Sequence, residues 1–203
     1  MQTIRASATG KLRKGDRTRL RILDAAGKLL QTRDFSALTM AEIGKPAKIA
    51  PATIYEHFKD KDELLVEAIR HLIGEQRVKI DARIKDSDPA EKRLRASLRV
   101  NLEISFEVMA PLMSLFYFAA IKPAVREFEV EFQRTAVSRI ETLLIHGNRE
   151  GAWNIQRTQS VARSIHSLLI GEMIKTHYDP EEMGLDARFK TLWNAVMGVM
   201  ANV

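Results

Sequence analysis

The sequence predicts an all-α fold of about nine helices, divided after the third. Three observations carry this expectation. Val and Ile fall at three-to-four spacing rather than in alternating runs. No Asn-Gly or Asp-Gly hairpin signal occurs. Helix-opening patterns recur instead: T-M-A-E at 39–42, an Asp60…Glu63 pair, and prolines at 51, 89 and 123.

Taken in order, the first helix is expected from Thr18 to Gln31, with Ile22, Ala25, Ala26, Leu29 and Leu30 as its apolar stripe. Asp34 and Phe35 turn the chain. Thr39 and Glu42 form a capping box for a second helix that buries Ile43 and Ala47. Pro46 removes a helical amide and crowds the Glu42 carbonyl, so this helix is expected to kink or end early. Lys48 and Ile49 make a tight turn, and Pro51 opens a short third helix that ends near Phe58. Asp60 and Glu63 cap a long fourth helix carrying Leu64, Leu65, Ala68, Ile69, Leu72 and Ile73 inward. D-S-D-P-A (86–90) punctuates, and Pro89 opens a helix to about Met109 that Pro111 breaks or kinks. The apolar LMSLFYFAAI (112–121) follows. Lys122-Pro123 starts a long helix with Phe128, Phe132, Ala136, Ile140 and Leu143 in register, ended by Gly147 and Gly151. Two last helices are expected at about Thr158–His177 and from Pro180 onward.

Of the 203 residues, 45% are hydrophobic, enough for a substantial core. There is no cysteine, which excludes disulfides and thiolate metal sites and fits a reducing compartment. No apolar run approaches the roughly 18 residues that span a bilayer. The basic start MQTIRASATGKLRKGD lacks the apolar stretch of a secretory signal. A soluble, cytoplasmic protein with no membrane partner is expected. The net charge of +6 is uneven: residues 1–65 hold 13 Lys/Arg against 8 Asp/Glu, and residues 66–203 hold 19 against 18. A basic front on a near-neutral body points to a polyanion, or else to a solubilising tail.

Two short helices joined by a turn, with Ile43, Ala47, Ile49, Ile54 and Phe58 buried, form a helix-turn-helix pattern. The run F-S-A-L-T-M-A-E-I at 35–43, A-K-I-A-P-A-T-I-Y-E-H-F at 47–58 and K-D-E-L-L at 61–65 resembles the TetR family of bacterial transcriptional regulators. The motif covers about a quarter of the chain; the remainder matches in architecture. The resemblance implies a basic arm (1–17), a helix-turn-helix DNA-binding domain (18–60) and a helical ligand-binding and dimerisation domain (61–203). It places Thr39, Thr53, Tyr55 and His57 at phosphate-contacting positions and Lys61 as a phosphate clamp. Thr39 could instead only cap, Tyr55 only pack, and His57 simply be exposed. Where the family carries glycine, serine and glycine, this chain has Lys48, Ala50 and Ala52, and Lys48 would be strained if its backbone is left-handed.

Between Ala50 and Phe58 there is no lysine or arginine. Such a helix can still read DNA: Ala50, Pro51 and Ala52 allow close approach, and Thr53 can bond a base or a phosphate. Affinity would come from Lys45, Lys48, Lys59 and Lys61 around it, and from Lys11, Arg13, Lys14, Arg17 and Arg19 before it. The operator would be a near-palindromic duplex, read partly by shape.

For the second domain, a four-helix homodimer interface is expected from Ile165, Leu168, Leu169 and Met173 with Phe189, Leu192, Trp193, Val196 and Met200, unless these faces pack within one chain. The resemblance puts a small-molecule pocket among the middle helices, here Phe106, Met109, Met113, Phe116, Tyr117, Phe128, Phe132 and Trp153, residues that could equally be plain core. A small apolar or amphipathic effector is expected there, with His146 and His166 available to a polar end. Metal-ligand spacing, nucleophile–base pairs and phosphate loops are absent, so no catalytic residue, metal or cofactor is expected. The function implied is a dimeric repressor released by its ligand. The alternative is a DNA-bound scaffold of nucleoid-occlusion type with a protein partner.

Overall fold

The computed structural model describes residues 13–33, 35–179 and 181–201, apart from the side chains of Phe35, Phe106, Glu107 and Ala124. The expected arm residue Lys11, the turn residue Asp34 and Pro180 lie outside the described residues. Among the described residues the regular structure is entirely helical: α1 (Lys14–Leu30), a 3-10 turn (Phe35–Ala37), α2 (Met40–Ala47), α3 (Pro51–His57), α4 (Lys61–Asp81), α5 (Ala90–Glu103), α6 (Ser105–Ile121), α7 (Pro123–Glu150), α8 (Thr158–Tyr178) and α9 (Leu185–Ala201). No single helix among them is long and apolar enough to cross a membrane.

The chain forms two compact units. The first takes the described residues up to Gly74 together with Ala110–Val125. Its core joins Ile22, Ala26 and Leu30 of α1 to Leu38, Ile43, Ala47, Ile54 and Phe58, and to Leu64, Leu65, Ala68 and Ile69 of α4, all buried. Within it the Lys122 ammonium lies 2.6 Å from both carboxylate oxygens of Asp62 and 5.5 Å from the Phe118 ring centre. This ties the α6–α7 junction to the first turn of α4.

The second unit holds Glu75–Met109 and the chain from Arg126 onward. Here α5, α8 and α9 pack on one another through Leu94, Leu98, Ile165, Leu169, Leu192 and Val196. Arg95 lies 5.2 Å above Phe189 and 5.1 Å above Trp193, and Arg99 reaches Asp186 at 2.6 Å. Stacked guanidiniums of this kind contribute about 0.5–1 kcal/mol each.

Four element boundaries differ from expectation. α1 begins four residues early, because nothing in K-G-D-R breaks a helix and the Arg17 amide already donates to the Arg13 carbonyl (3.1 Å). α2 runs through Pro46 to Ala47, contrary to the expected early end. Pro46 is exposed in the last turn, where it forfeits a single amide, and the helix closes beyond it from Lys48 and Ile49 onto Gly44 and Lys45. The break expected at Pro111 falls at Ile104 instead, while Pro111 lies inside α6. At this break the buried Ser105 hydroxyl donates to the Leu102 carbonyl (2.7 Å). α9 starts at Leu185 because the buried Arg188 organises the preceding loop, donating from Nε to the Met183 carbonyl (2.8 Å) and from Nη2 to the Asp179 carbonyl.

α7 ends as its glycines direct. Gly151 takes φ 74°, and the Ala152 amide donates back to the Gly147 carbonyl (2.8 Å). Trp153 folds over this end, its Nε1 donating to the Leu144 carbonyl (2.7 Å), so closely that a Cβ on Gly147 would lie 2.1 Å from the indole ring. Gly147→Ala should therefore lower stability by about 1–3 kcal/mol, even though alanine is the better helix former. Gly74→Ala, where a Cβ meets nothing within 4 Å, should raise it; thermal denaturation of both variants checks the pair.

Candidate nucleic-acid interface

The capping box of α2 is fully formed. The Thr39 hydroxyl accepts from the Glu42 amide (3.2 Å), while the Glu42 carboxylate accepts from the Thr39 amide and hydroxyl (2.9 Å each) and from Arg33 Nη2 (2.9 Å). These donors, the Thr39 amide foremost, then Arg33 and the Thr39 hydroxyl, hold the Glu42 carboxyl down to about 2. Thr39 thus caps, and its hydroxyl proton is committed within the protein.

Lys48 closes α2 in the left-handed region, φ 52° and ψ 49°, the strained conformation that a non-glycine there implied. The glycine this turn needs stands elsewhere. A Cβ on Gly44 would lie 2.3 Å from the Ile49 carbonyl oxygen, which accepts no side chain so near. The Gly44 carbonyl in turn accepts the Ile49 amide (3.0 Å), so the turn doubles back onto the face of α2.

α3 opens at Pro51 after Ala50, which offers no side-chain cap. Ile54 and Phe58 anchor it in the core. Pro51, Ala52, Tyr55 and Glu56 are exposed, with Thr53 and His57 half-buried. The outer face is thus small at its front, with Tyr55 standing 58% exposed behind. Lys14, Arg17, Lys45, Lys48 and Lys59 are also exposed, and none of their side chains forms an ion pair among the described residues. Lys61 Nζ donates to the Ser36 carbonyl (3.0 Å), securing the 3-10 turn to the start of α4.

Arg19 departs from its expected role. Its guanidinium donates to the His57 carbonyl (3.0 Å) and to Glu67 (3.0 Å) and lies 4.3 Å above the Phe58 ring, with only 14% of the side chain exposed. It holds the carboxyl end of α3 rather than facing outward. Arg21, which the sequence reading passed over, does the same for α2 by donating to the Ala47 carbonyl. An arginine on α1 reaching a later helix end leaves no local pattern, so only proximity reveals either.

Of the pocket candidates, Met113, Phe116 and Tyr117 belong to the first unit, and Met109, Phe128, Phe132 and Trp153 to the second; the Phe106 side chain lies outside the description. Tyr117 is 63% exposed, Phe128 stacks on Phe132 at 6.4 Å, and Trp153 is engaged in closing α7. Of the interface candidates, Ile165, Leu169, Met173, Phe189, Leu192, Trp193, Val196 and Met200 are buried within the single chain and Leu168 is half-buried. The open alternative, packing within one chain, describes these eight. His166 is buried on α8, and burial pushes its pKa down, favouring the neutral ring.

Comparison with known proteins places this geometry. The profile described as "Bacterial regulatory proteins, tetR family" matches residues 22–68, which run from α1 into α4. The chain is 28% identical over 122 residues to the HTH-type transcriptional regulator BetI of Rhizobium meliloti, an alignment covering 59% of this chain and 60% of that protein's length. It is 29% identical to the uncharacterised HTH-type transcriptional regulator YhgD of Bacillus subtilis, covering 80% of this chain and 86% of that one. Among solved structures, a transcriptional regulator from Saccharomonospora viridis in complex with choline shares the fold, with a TM-score of 0.80 and 19% identity over 90% of this chain and 96% of its own.

Two outcomes follow from the turn and the cap. Lys48→Gly should stabilise the protein by about 1 kcal/mol, since relief of the left-handed strain exceeds glycine's entropy cost; chemical denaturation measures it. Glu42 titrates lower in the folded chain than in the unfolded one. Its stabilising contribution is thus complete above the ordinary carboxylate pKa of about 4.5 and is lost as pH falls toward about 2. The Tm gap between the wild type and Glu42→Ala should close over that window.

Proposed function

The chain belongs to the TetR family of bacterial regulatory proteins, and from that premise we propose that this DNA-binding transcriptional regulator is a cytoplasmic homodimeric repressor. In this reading residues 18–60 hold a near-palindromic operator, residues 61–203 dimerise and sense a small amphipathic ligand, and the ligand releases the DNA.

The observation that carries the proposal is the outer face of α3. Pro51 and Ala52 are exposed at the front of the helix, where their small size permits deep entry into the major groove and contact with thymine methyls. The cations lie around the helix: Arg17, Lys45, Lys48 and Lys59 are exposed and free to meet phosphates. Affinity is then chiefly electrostatic, and specificity rests on few base contacts and on DNA shape.

Two half-sites one helical turn apart, about 34–36 Å, need a two-fold partner. The apolar inner faces of α8 and α9 are spent within the chain, so the interface falls on their outer faces. There Ser167, Gly171 and Ile174 of α8 stand with Asn194, Met197 and Gly198 of α9, a strip of small and apolar residues that lets helices approach closely. The choline held by the Saccharomonospora viridis structure supports a small-molecule effector for this chain as well. Release is a population shift. The ligand acts only through its difference in affinity for the two states. Within the first unit, the Lys122–Asp62 pair is the link through which the first turn of α4 would register that shift.

The test begins with selection of bound duplexes from a random pool, which should return an inverted repeat. Compounds are then screened for release. A scaffold with a protein partner would bind the repeat and answer to none of them. A Cβ on Gly171 meets nothing within 4 Å in the single chain, so the fold should persist in Gly171→Arg. The variant should nevertheless run as a monomer in light scattering and lose about 100-fold or more in operator affinity. Lys48→Gly should reduce the salt slope of binding by about one unit without changing the selected sequence.

A further inference from the structure

The second unit contains a cleft of about 390 Å³ between the last turn of α4, α5 and α7, a volume within the roughly 300–1,000 Å³ of small-molecule sites. Its charged lining is Arg77, Asp81, Asp86, Arg93 and Arg139, with His146 among its polar residues. His146, expected from the sequence to be available to the polar end of a ligand, lines it, and the apolar candidates do not.

Asp81 and Glu150 are already engaged, and Asp86 lines the cleft beside them. Arg77 donates from Nε to Asp81 (2.9 Å) and approaches its other oxygen at 2.5 Å. Arg93 is 7% exposed and donates from Nη2 to Glu150 (2.8 Å), whose second oxygen accepts the Ala90 amide (2.7 Å). Arg93 Nη1 stands 3.4 Å from His146 Nδ1, and its buried Nε has no acceptor. Arg139 forms no ion pair among the described residues. Its pKa is pushed below the usual range by partial burial and then by Arg77, with Asp81 pulling the other way. A guanidinium left over beside a second guanidinium is stabilised by an incoming anion and repels a cation.

One wall is apolar. Ile84 and Leu143 line the cleft, and Ile84 packs on the buried cluster of Ile80, Val100 and Ile104. We propose that this cleft binds a small organic acid, its carboxylate accepting from Arg139 and Arg77 and its hydrocarbon body lying on Ile84 and Leu143. The inference gives the effector of the preceding subsection its chemical class and rests on that reading for its regulatory meaning. It also separates this chain from its Saccharomonospora viridis neighbour, whose choline is a cation.

The full-length protein is titrated by calorimetry with sodium benzoate and sodium hexanoate. The matching amides, sodium phosphate and choline chloride serve as comparisons. Both acids should bind saturably, and the amides at least about tenfold more weakly. Arg139→Gln, at an exposed position, should weaken the acids at least about tenfold, and Thr142→Glu, which adds a negative charge to the lining, should do the same. Far-UV dichroism confirms that both variants fold. The proposal is overturned if neither acid binds, if amides match acids, if choline or phosphate binds in their place, or if both variants bind acid as the wild type does. Operator release is read in parallel. Acid binding that needs Arg139 but leaves the DNA complex intact supports the cleft and removes its role as the switch. A compound that releases DNA regardless of Arg139, with no acid bound, supports the switch and overturns the acid cleft.

Discussion

Two guanidiniums on α1 hold the carboxyl ends of the helices that follow, and the outward face of the first unit depends on them. Arg19 reaches the last carbonyl of α3, and Arg21 that of α2. Each places a positive charge where the helix dipole is negative and satisfies a carbonyl that the helix leaves open. Arg19 also lies on the Phe58 ring and pairs with Glu67 on α4. A seven-residue helix has little stability of its own. α3 keeps its angle because its apolar side is anchored by Ile54 and Phe58 and its end is bolted to α1.

This arrangement separates position from attraction. The arginines inside the unit are spent on geometry, and the lysines outside it, with Arg17, remain for a polyanion. In the proposed reading α3 can therefore be small and uncharged at its front without loss of affinity, because phosphates would be met from its surroundings. Lys48 joins the two tasks, closing α2 in a left-handed conformation that glycine would take more easily and presenting an ammonium beside α3. Its strain, of order 1–2 kcal/mol, is small enough for the rest of the unit to sustain.

The second unit divides its arginines in the same way. Arg95, Arg99 and Arg188 are absorbed into the packing of α5, α9 and the loop before α9. Arg77, Arg93 and Arg139 instead face one cleft, where the paired carboxylates do not satisfy all of them. A cleft lined by three guanidiniums and by the apolar Ile84 and Leu143 suits an acid with a hydrocarbon body, within the amphipathic class expected from sequence.

The sequence by itself determined the helices, their caps and the helix-turn-helix, because these depend on neighbours three and four residues away. Thr39 with Glu42, Asp60 with Glu63, Pro51 and Gly151 each state their role locally. Pro46 and Pro111 show the limit of that reading: a proline in a last turn, or within a helix held by its surroundings, need not break it. Only the tertiary structure decided what each arginine touches and which faces are already covered. Arg19 and Glu67 are 48 residues apart and Arg93 and Glu150 are 57 apart. A long flexible cation can serve solvent, a carbonyl or a carboxylate with equal ease, so its partner is set by the packing that brings distant segments together. The apolar stripes of α8 and α9 were legible in the same sense, but whether a stripe meets its own chain or another is a question of available volume, and here α5 had filled it.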